Sequence, residues 1–245
     1  MSPVRSVVLL LVCVSSLPAQ APQSSSASLM DSRLFEPWQW RSVGPIRGGR
    51  ALAVAGSVPR PLEYYFGAVG GGLWKTTDAG TTWDPVGDRF FSSASVGSVA
   101  VCNDDPDVVY AGMGEGQWRA IIATGDGIYR SSDGGQTWSH KGLESSTGQQ
   151  VVARVRVHPN DCDVVYAAVL GDPWGPNEER GVFRSTDGGD SWERILYRHE
   201  LAGATDLVLD PTDPTVLYAA IWDAARKPWL IRTGDQSGLF KSTNG

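Results

Sequence analysis

The sequence predicts an all-β protein made of consecutive four-stranded antiparallel units, and three observations predict it. An octapeptide of the form Ser/Thr-x-Asp-x-Gly-x-Ser/Thr-Trp occurs at 76–83, 131–138 and 185–192, and begins again at Ser242 with Asn244 in the Asp position. The steps from Asp78 to Asp133, Asp133 to Asp187 and Asp187 to Asn244 are 55, 54 and 57 residues, an interval that marks a blade-like or solenoid repeat. Lastly, 29 Gly and 15 Pro punctuate short apolar runs, as in a chain of strands and turns. Each interval holds four such runs, the strand count of a β-propeller blade. About four blades are present, so the expectation is an incomplete, open ring that continues beyond the C-terminus.

The N-terminus reads as a leader. Arg5 precedes an apolar run from Ser6 to Leu17, and Ala19-Gln20-Ala21 has the small-x-small form of a signal-peptidase site. The run is too short to span a bilayer. Residues 1–21 are therefore assigned to a signal peptide, which places the protein in the periplasm, on the cell surface or in the medium. Residues 22–33 have the composition of a flexible linker. The propeller is assigned to 34–245, with Trp40-Arg41-Ser42-Val43-Gly44 matching Trp83-Asp84-Pro85-Val86-Gly87 as an entry strand that would close a ring.

Within each repeat the same four parts follow in order. First strands are expected at 51–56, 96–101, 152–157 and 205–209; second strands at 64–69, 108–113, 164–169 and 216–221; third strands at 72–75, 127–130, 181–184 and 238–241. The octapeptide makes the next turn, and Trp83, Trp138 or Trp192 leads the last strand. The residue types suit a tight turn. Asp78, Asp133 and Asp187 can accept from backbone N–H groups at a net ~1 kcal/mol per bond, Gly80, Gly135 and Gly189 can take a positive φ, and each Trp is expected to bury its ring against the next blade. Recurrence in successive repeats makes these nine residues architectural, since a catalytic group is needed once.

A net charge of −6 and a sequence pI near 5.1 argue against nucleic acid as a partner. No segment after the leader is apolar enough to cross a membrane. Cys102 and Cys162 form either a disulfide or two buried thiols. His140, His158 and His199 fall on separate blades without metal-ligand spacing, so neither metal nor cofactor is expected.

Antiparallel topology puts the octapeptide turns at one end and the long loops at the other. Those loops are 114–126, 171–180 and 222–237, joined by the inter-blade segments that include 44–50. Loops on a rigid scaffold carry binding and catalysis. The ligand-binding candidates on this face are Arg47, Arg50, Glu115, Trp118, Arg119, Asp172, Trp174, Arg226 and Trp229. Tryptophans beside both charge signs suit a carbohydrate or a peptide, and no residue is marked out as catalytic.

The three turns resemble the Asp-box, or bacterial neuraminidase repeat, of sialidases, xyloglucanases, sortilin-type receptors and photosystem II assembly factors. With Gly44–Arg50, Gly114–Arg119 and Gly171–Arg180, the chain from Leu34 to Gly245 resembles exported bacterial sortilin-like propeller proteins often labelled glycosyl hydrolases. That resemblance implies the fold and says little about activity. Xyloglucanase-like propellers carry an Asp before the Gly-Gly-aromatic third strand of the first blade, where this sequence has Val69; a sialidase would need an arginine triad, to which Arg47 or Arg50 could contribute one member. The sequence-based reading is a secreted binding or interaction propeller. A glycoside hydrolase acting on extracellular polysaccharide is the alternative, and an assembly factor for exported proteins the second alternative.

Overall fold

The computed structural model describes residues 49–245. The expected leader, the linker, the entry strand at Trp40–Gly44 and Arg47 lie outside the described residues. The described residues form sixteen strands in four antiparallel sheets of four strands each. Blade one is β1 (Arg50–Ser57), β2 (Arg60–Val69), β3 (Gly72–Thr76) and β4 (Asp84–Pro85). Blade two is β5 (Val96–Val101), β6 (Val109–Met113), β7 (Ile128–Ser131) and β8 (Ser139–His140), and blade three is β9 (Val152–His158), β10 (Asp161–Val169), β11 (Gly181–Ser185) and β12 (Glu193–Leu196). Blade four is β13 (Ala202–Leu209), β14 (Leu217–Lys227), β15 (Leu230–Thr233) and β16 (Gly238–Ser242).

The first three blades are meanders whose strands pair in chain order. Blade four differs. β16 pairs with the first half of β14, Leu217 to Ile221, while the second half runs on to pair with β15. The stretch 222–237, expected as a loop, is for most of its length a β-hairpin turning at Pro228-Trp229. Its backbone groups are satisfied by continuous antiparallel pairing rather than by solvent.

The repeated turn is a closed hydrogen-bond unit in all three complete copies. In blade two the Ser131 hydroxyl donates to Asp133 Oδ1 at 2.8 Å and accepts the Gly135 N–H at 2.8 Å, and Asp133 accepts the N–H and the hydroxyl of Thr137 at 2.9 and 2.5 Å. The same bonds recur around Asp78 and Asp187. These donors hold both carboxyls well below the usual range, at about 2, led by the Thr82 N–H for Asp78 and by the Ser191 hydroxyl for Asp187. Gly135 sits at φ 88°, and Ala79 occupies at φ 58° the place that Gly134 and Gly188 fill.

The rings of Trp138 and Trp192 face the opposite way from the sequence-based expectation. Trp138 packs against the preceding blade, with its Nε1 donating to Val86 O at 2.8 Å and its ring edge-on to Phe91; Trp192 Nε1 likewise donates to Lys141 O at 2.7 Å. The turn folds its own strand end back over the junction already made, so the ring closes the gap behind it. The gap ahead is spanned by a tyrosine and a cation on facing positions of the second and third strands. Tyr65 and Lys75 both donate to Gly134 O, at 2.9 and 2.8 Å. Tyr110 donates to Cys162 O at 2.8 Å, and Arg130 to Asp163 at 2.8 Å. Cys102 and Cys162 form a disulfide between blades two and three, with Cα atoms 5.5 Å apart.

Three apolar clusters lie between successive blades, and a fourth, of Ile122, Val151, Ala153 and Leu170, lies under the long loops with Trp118 and Trp174 packed on it. The first strands β1, β5, β9 and β13 pack side by side along the arc as its innermost layer. Each breaks register at the same place, at Leu52, Gly97, Ala153 and Thr205. A bulge adds one residue to a strand and re-aims the side chains beside it.

Candidate functional site

The loop face is organised around Glu115, which follows β6 and is buried. Its Oε1 accepts from Arg50 Nη2 at 3.2 Å and from Arg119 Nε at 2.8 Å, and its Oε2 accepts the Ala123 N–H at 3.1 Å. Arg50 opens β1, so this ion pair joins the start of blade one to the long loop of blade two. The oxygens of Glu115 are occupied, while the two guanidinium groups are roughly half exposed.

The loops of blades two, three and four meet at Arg226. Its backbone N–H donates to Pro173 O at 2.7 Å, its Nε to Arg119 O at 2.8 Å, and its Nη1 to the Lys227 and Leu230 carbonyls of its own hairpin. Arg226 is buried, and its donors are spent on backbone carbonyls. The structure places this candidate as a staple between loops. Arg180 plays the same part in the blade-three loop: it is fully buried, donates to Asn177 Oδ1 at 2.9 Å, to Leu170 O at 2.7 Å and to the Asp172 and Gly175 carbonyls, and burial pulls its guanidinium down to about 10. Asp172 is buried and accepts the Trp174 N–H at 2.8 Å, and Trp174 packs on the sub-loop cluster. Trp229, at the hairpin tip, is 80% exposed.

Beneath the blade-two loop lies a cavity of about 320 Å³. Its floor is the four bulge residues, Leu52, Gly97, Ala153 and Thr205, one from each innermost strand; its rim is Gly116, Gln117, Trp118, Arg154 and Trp222. The loop presses close to the strands. A Cβ on Gly97 would come within 2.1 Å of Gly114 O, and one on Gly116 within 3.0 Å of Ala153 Cβ. Trp118 and Trp222, from blades two and four, meet over the cavity with ring centroids 4.8 Å apart at 45°. Buried polar atoms are nearly always paired, so each exception asks for a partner. Among the described residues two buried side-chain atoms lack one, Trp118 Nε1 and Asp126 Oδ1, and both belong to the loop 114–126.

Asp126 was not singled out in the sequence. Its Oδ2 accepts the Tyr129 hydroxyl at 2.6 Å and the Ser92 hydroxyl, and its carbonyl stands 2.8 Å from His140 Nε2. No pattern marks it, because its partners come from three separate stretches. Trp222 was likewise overlooked, and only the bulge at Thr205 and the extension of β14 bring it over the cavity. Val69 is buried beside Arg50, and the next backbone N–H, of Gly70, donates to Ser95 Oγ at 3.2 Å. No group of three or more His, Cys, Asp or Glu that could hold a metal exists among the described residues. No helix among them is long and apolar enough to cross a membrane.

No family model matches the chain. The chain is similar to xyloglucanase Xgh74A of Acetivibrio thermocellus, 31% identical over 244 residues, an alignment covering 85% of this chain and 27% of that protein. A xyloglucanase of a Paenibacillus species is 26% identical over 242 residues, covering 86% and 22%. The chain thus spans about a quarter of the length of these curated relatives. Among solved structures it resembles the GH74 enzyme of Niastella koreensis, with a TM-score of 0.56 at 22% identity over 78% of this chain and 28% of that one. It also resembles the GH74 xyloglucanase of Xanthomonas campestris, with a TM-score of 0.52 at 17% identity over 79% and 29%. These structural matches establish the β-propeller fold.

Proposed function

We propose that this chain is the propeller section of an exported glycoside hydrolase-type protein, and that its loop face holds a xyloglucan-type polysaccharide. The observation that carries the proposal is the 31% identity to a xyloglucanase across most of the chain. The geometry of the face supports it. Indole faces stack on the C–H faces of pyranose rings, and sugar hydroxyls pair with glycine-flanked backbone, amide and guanidinium groups. The cavity under Trp118 and Trp222 offers these, with Gln117, Arg154 and Thr205 as polar partners and Trp118 Nε1 as an unused donor. Arg50, Arg119 and Trp229 extend the same face outward.

A hydrolase needs two carboxylates about 5–10 Å apart flanking the bond. Glu115, Asp172 and Asp223 already accept hydrogen bonds from side chains or backbone, and Val69 supplies no acid. We therefore read this section as the wall that holds the glycan, within a protein whose turnover draws on further groups. On the same reading the three complete turns are Asp boxes, residues 1–21 direct export and residues 22–33 link the leader to the propeller.

The test is affinity electrophoresis of the purified protein through gels containing xyloglucan, with a reducing-sugar assay alongside. Retardation by xyloglucan, weakened at least fivefold in Trp118→Ala, is the expected result. Mobility unaffected by xyloglucan, or equal retardation of Trp118→Ala, would overturn the proposal.

A further inference from the structure

Charge is not evenly balanced around the cavity under Trp118 and Trp222. Arg154, on its rim, donates from Nε to Asp206 Oδ1 at 2.7 Å, which makes a neutral pair. Beside Trp118 the balance differs. There Glu115 Oε1 accepts from Arg119 Nε at 2.8 Å and from Arg50 Nη2 at 3.2 Å, so two guanidinium groups share one carboxylate. The Glu115 side chain is 2% exposed, against 48% for Arg50 and 42% for Arg119. One positive charge is therefore left over next to the cavity, in a chain whose net charge is −6.

The loop fixes Arg119 in place. Its carbonyl accepts from Arg226 Nε at 2.8 Å, and Glu115 is itself tied down by Ala123, whose N–H reaches Glu115 Oε2 at 3.1 Å and whose carbonyl accepts the Glu115 N–H at 2.7 Å. Only Nε of the Arg119 guanidinium is engaged; Nη1 and Nη2 have no acceptor among the described residues. A guanidinium anchored through Nε keeps those two nitrogens as a planar fork of donors, the geometry that meets a carboxylate. Arg119 directly follows Trp118, so a sugar stacked on that indole brings its substituents within reach of the fork.

We infer that the loop face prefers a glycan carrying an isolated uronic-acid group over its neutral counterpart. This rests on the glycan reading above. The cavity under the two indoles takes the pyranose, and the free donors of Arg119, with Arg50 beside it, take the carboxylate. One surplus positive charge matches one carboxylate. A densely charged polyanion is disfavoured, because the chain as a whole is acidic and repels it.

A matched pair of ligands tests this: a galactose-bearing xyloglucan oligosaccharide, and the same oligosaccharide with the galactose oxidised at C6 to the carboxylate, each titrated into the full chain by calorimetry at low salt. The oxidised form should bind at least tenfold more tightly than its parent. Screening by concentrated sodium chloride should shrink that advantage to less than threefold, and Arg119→Gln should do the same at low salt. Equal affinity of the unaltered protein for the two ligands would overturn the inference and leave the glycan reading standing, whereas no binding of either would overturn both. A tenfold advantage that persists in Arg119→Gln would also overturn it.

Discussion

Trp138→Ala should destabilise the protein far more than Trp229→Ala, although each removes one indole. Trp138 is 8% exposed, lies in the cluster of blades one and two, and gives its N–H to Val86 O. Truncating a buried tryptophan costs about 3–5 kcal/mol, part of it the ~1 kcal/mol of that hydrogen bond. Trp229 is 80% exposed, and surface substitutions usually cost no more than about 0.5 kcal/mol. At roughly 2–4 °C per kcal/mol for a chain of this size, Trp138→Ala should melt about 6–20 °C lower and Trp229→Ala no more than about 2 °C lower. Thermal denaturation followed by near-ultraviolet circular dichroism measures both. Equal losses would refute the claim that the ring works by closing the junction behind it.

Ala79 holds a left-handed φ of 58° that disfavours a side chain, so Ala79→Gly should stabilise the protein by about 0.5–1 kcal/mol, measured by urea denaturation. The turn carboxyls Asp78 and Asp187 titrate near 2 when folded, below the ordinary value of 3.8. Their stabilisation is fully present above pH 4 and is lost as pH falls toward 2, so melting temperature should drop across that window, and less so in Asp78→Asn. Reducing Cys102–Cys162, which closes a loop of 60 residues, should cost about 4 kcal/mol; melts with and without dithiothreitol test this.

The repeat made the fold legible. The spacing of Asp78, Asp133 and Asp187 gave the blade period, and the apolar runs between them gave the strands. The bounds of β2 and β13 extend past the expected ones because pairing continues into Arg60 and into Ala202-Gly203-Ala204, which lie outside the apolar runs that marked the strands. The site was less legible. Arg50 and Glu115 were visible as charges on one face, and the structure joins them. Arg226 looked identical by type, yet its donors serve backbone carbonyls that no sequence pattern announces. The cavity itself was hidden, because the four bulge residues, Leu52, Gly97, Ala153 and Thr205, share a position and not a chemistry.

Ligand binding at the bulge-floored cavity on the loop face, away from the repeated turns, is tested most directly by indole N–H resonances measured by proton–nitrogen correlation during a titration with a xyloglucan oligosaccharide. The Trp118 signal, assigned with Trp118→Phe, should shift saturably while those of Trp138 and Trp192 stay fixed. A fixed Trp118 signal, or shifts confined to Trp138 and Trp192, would contradict it.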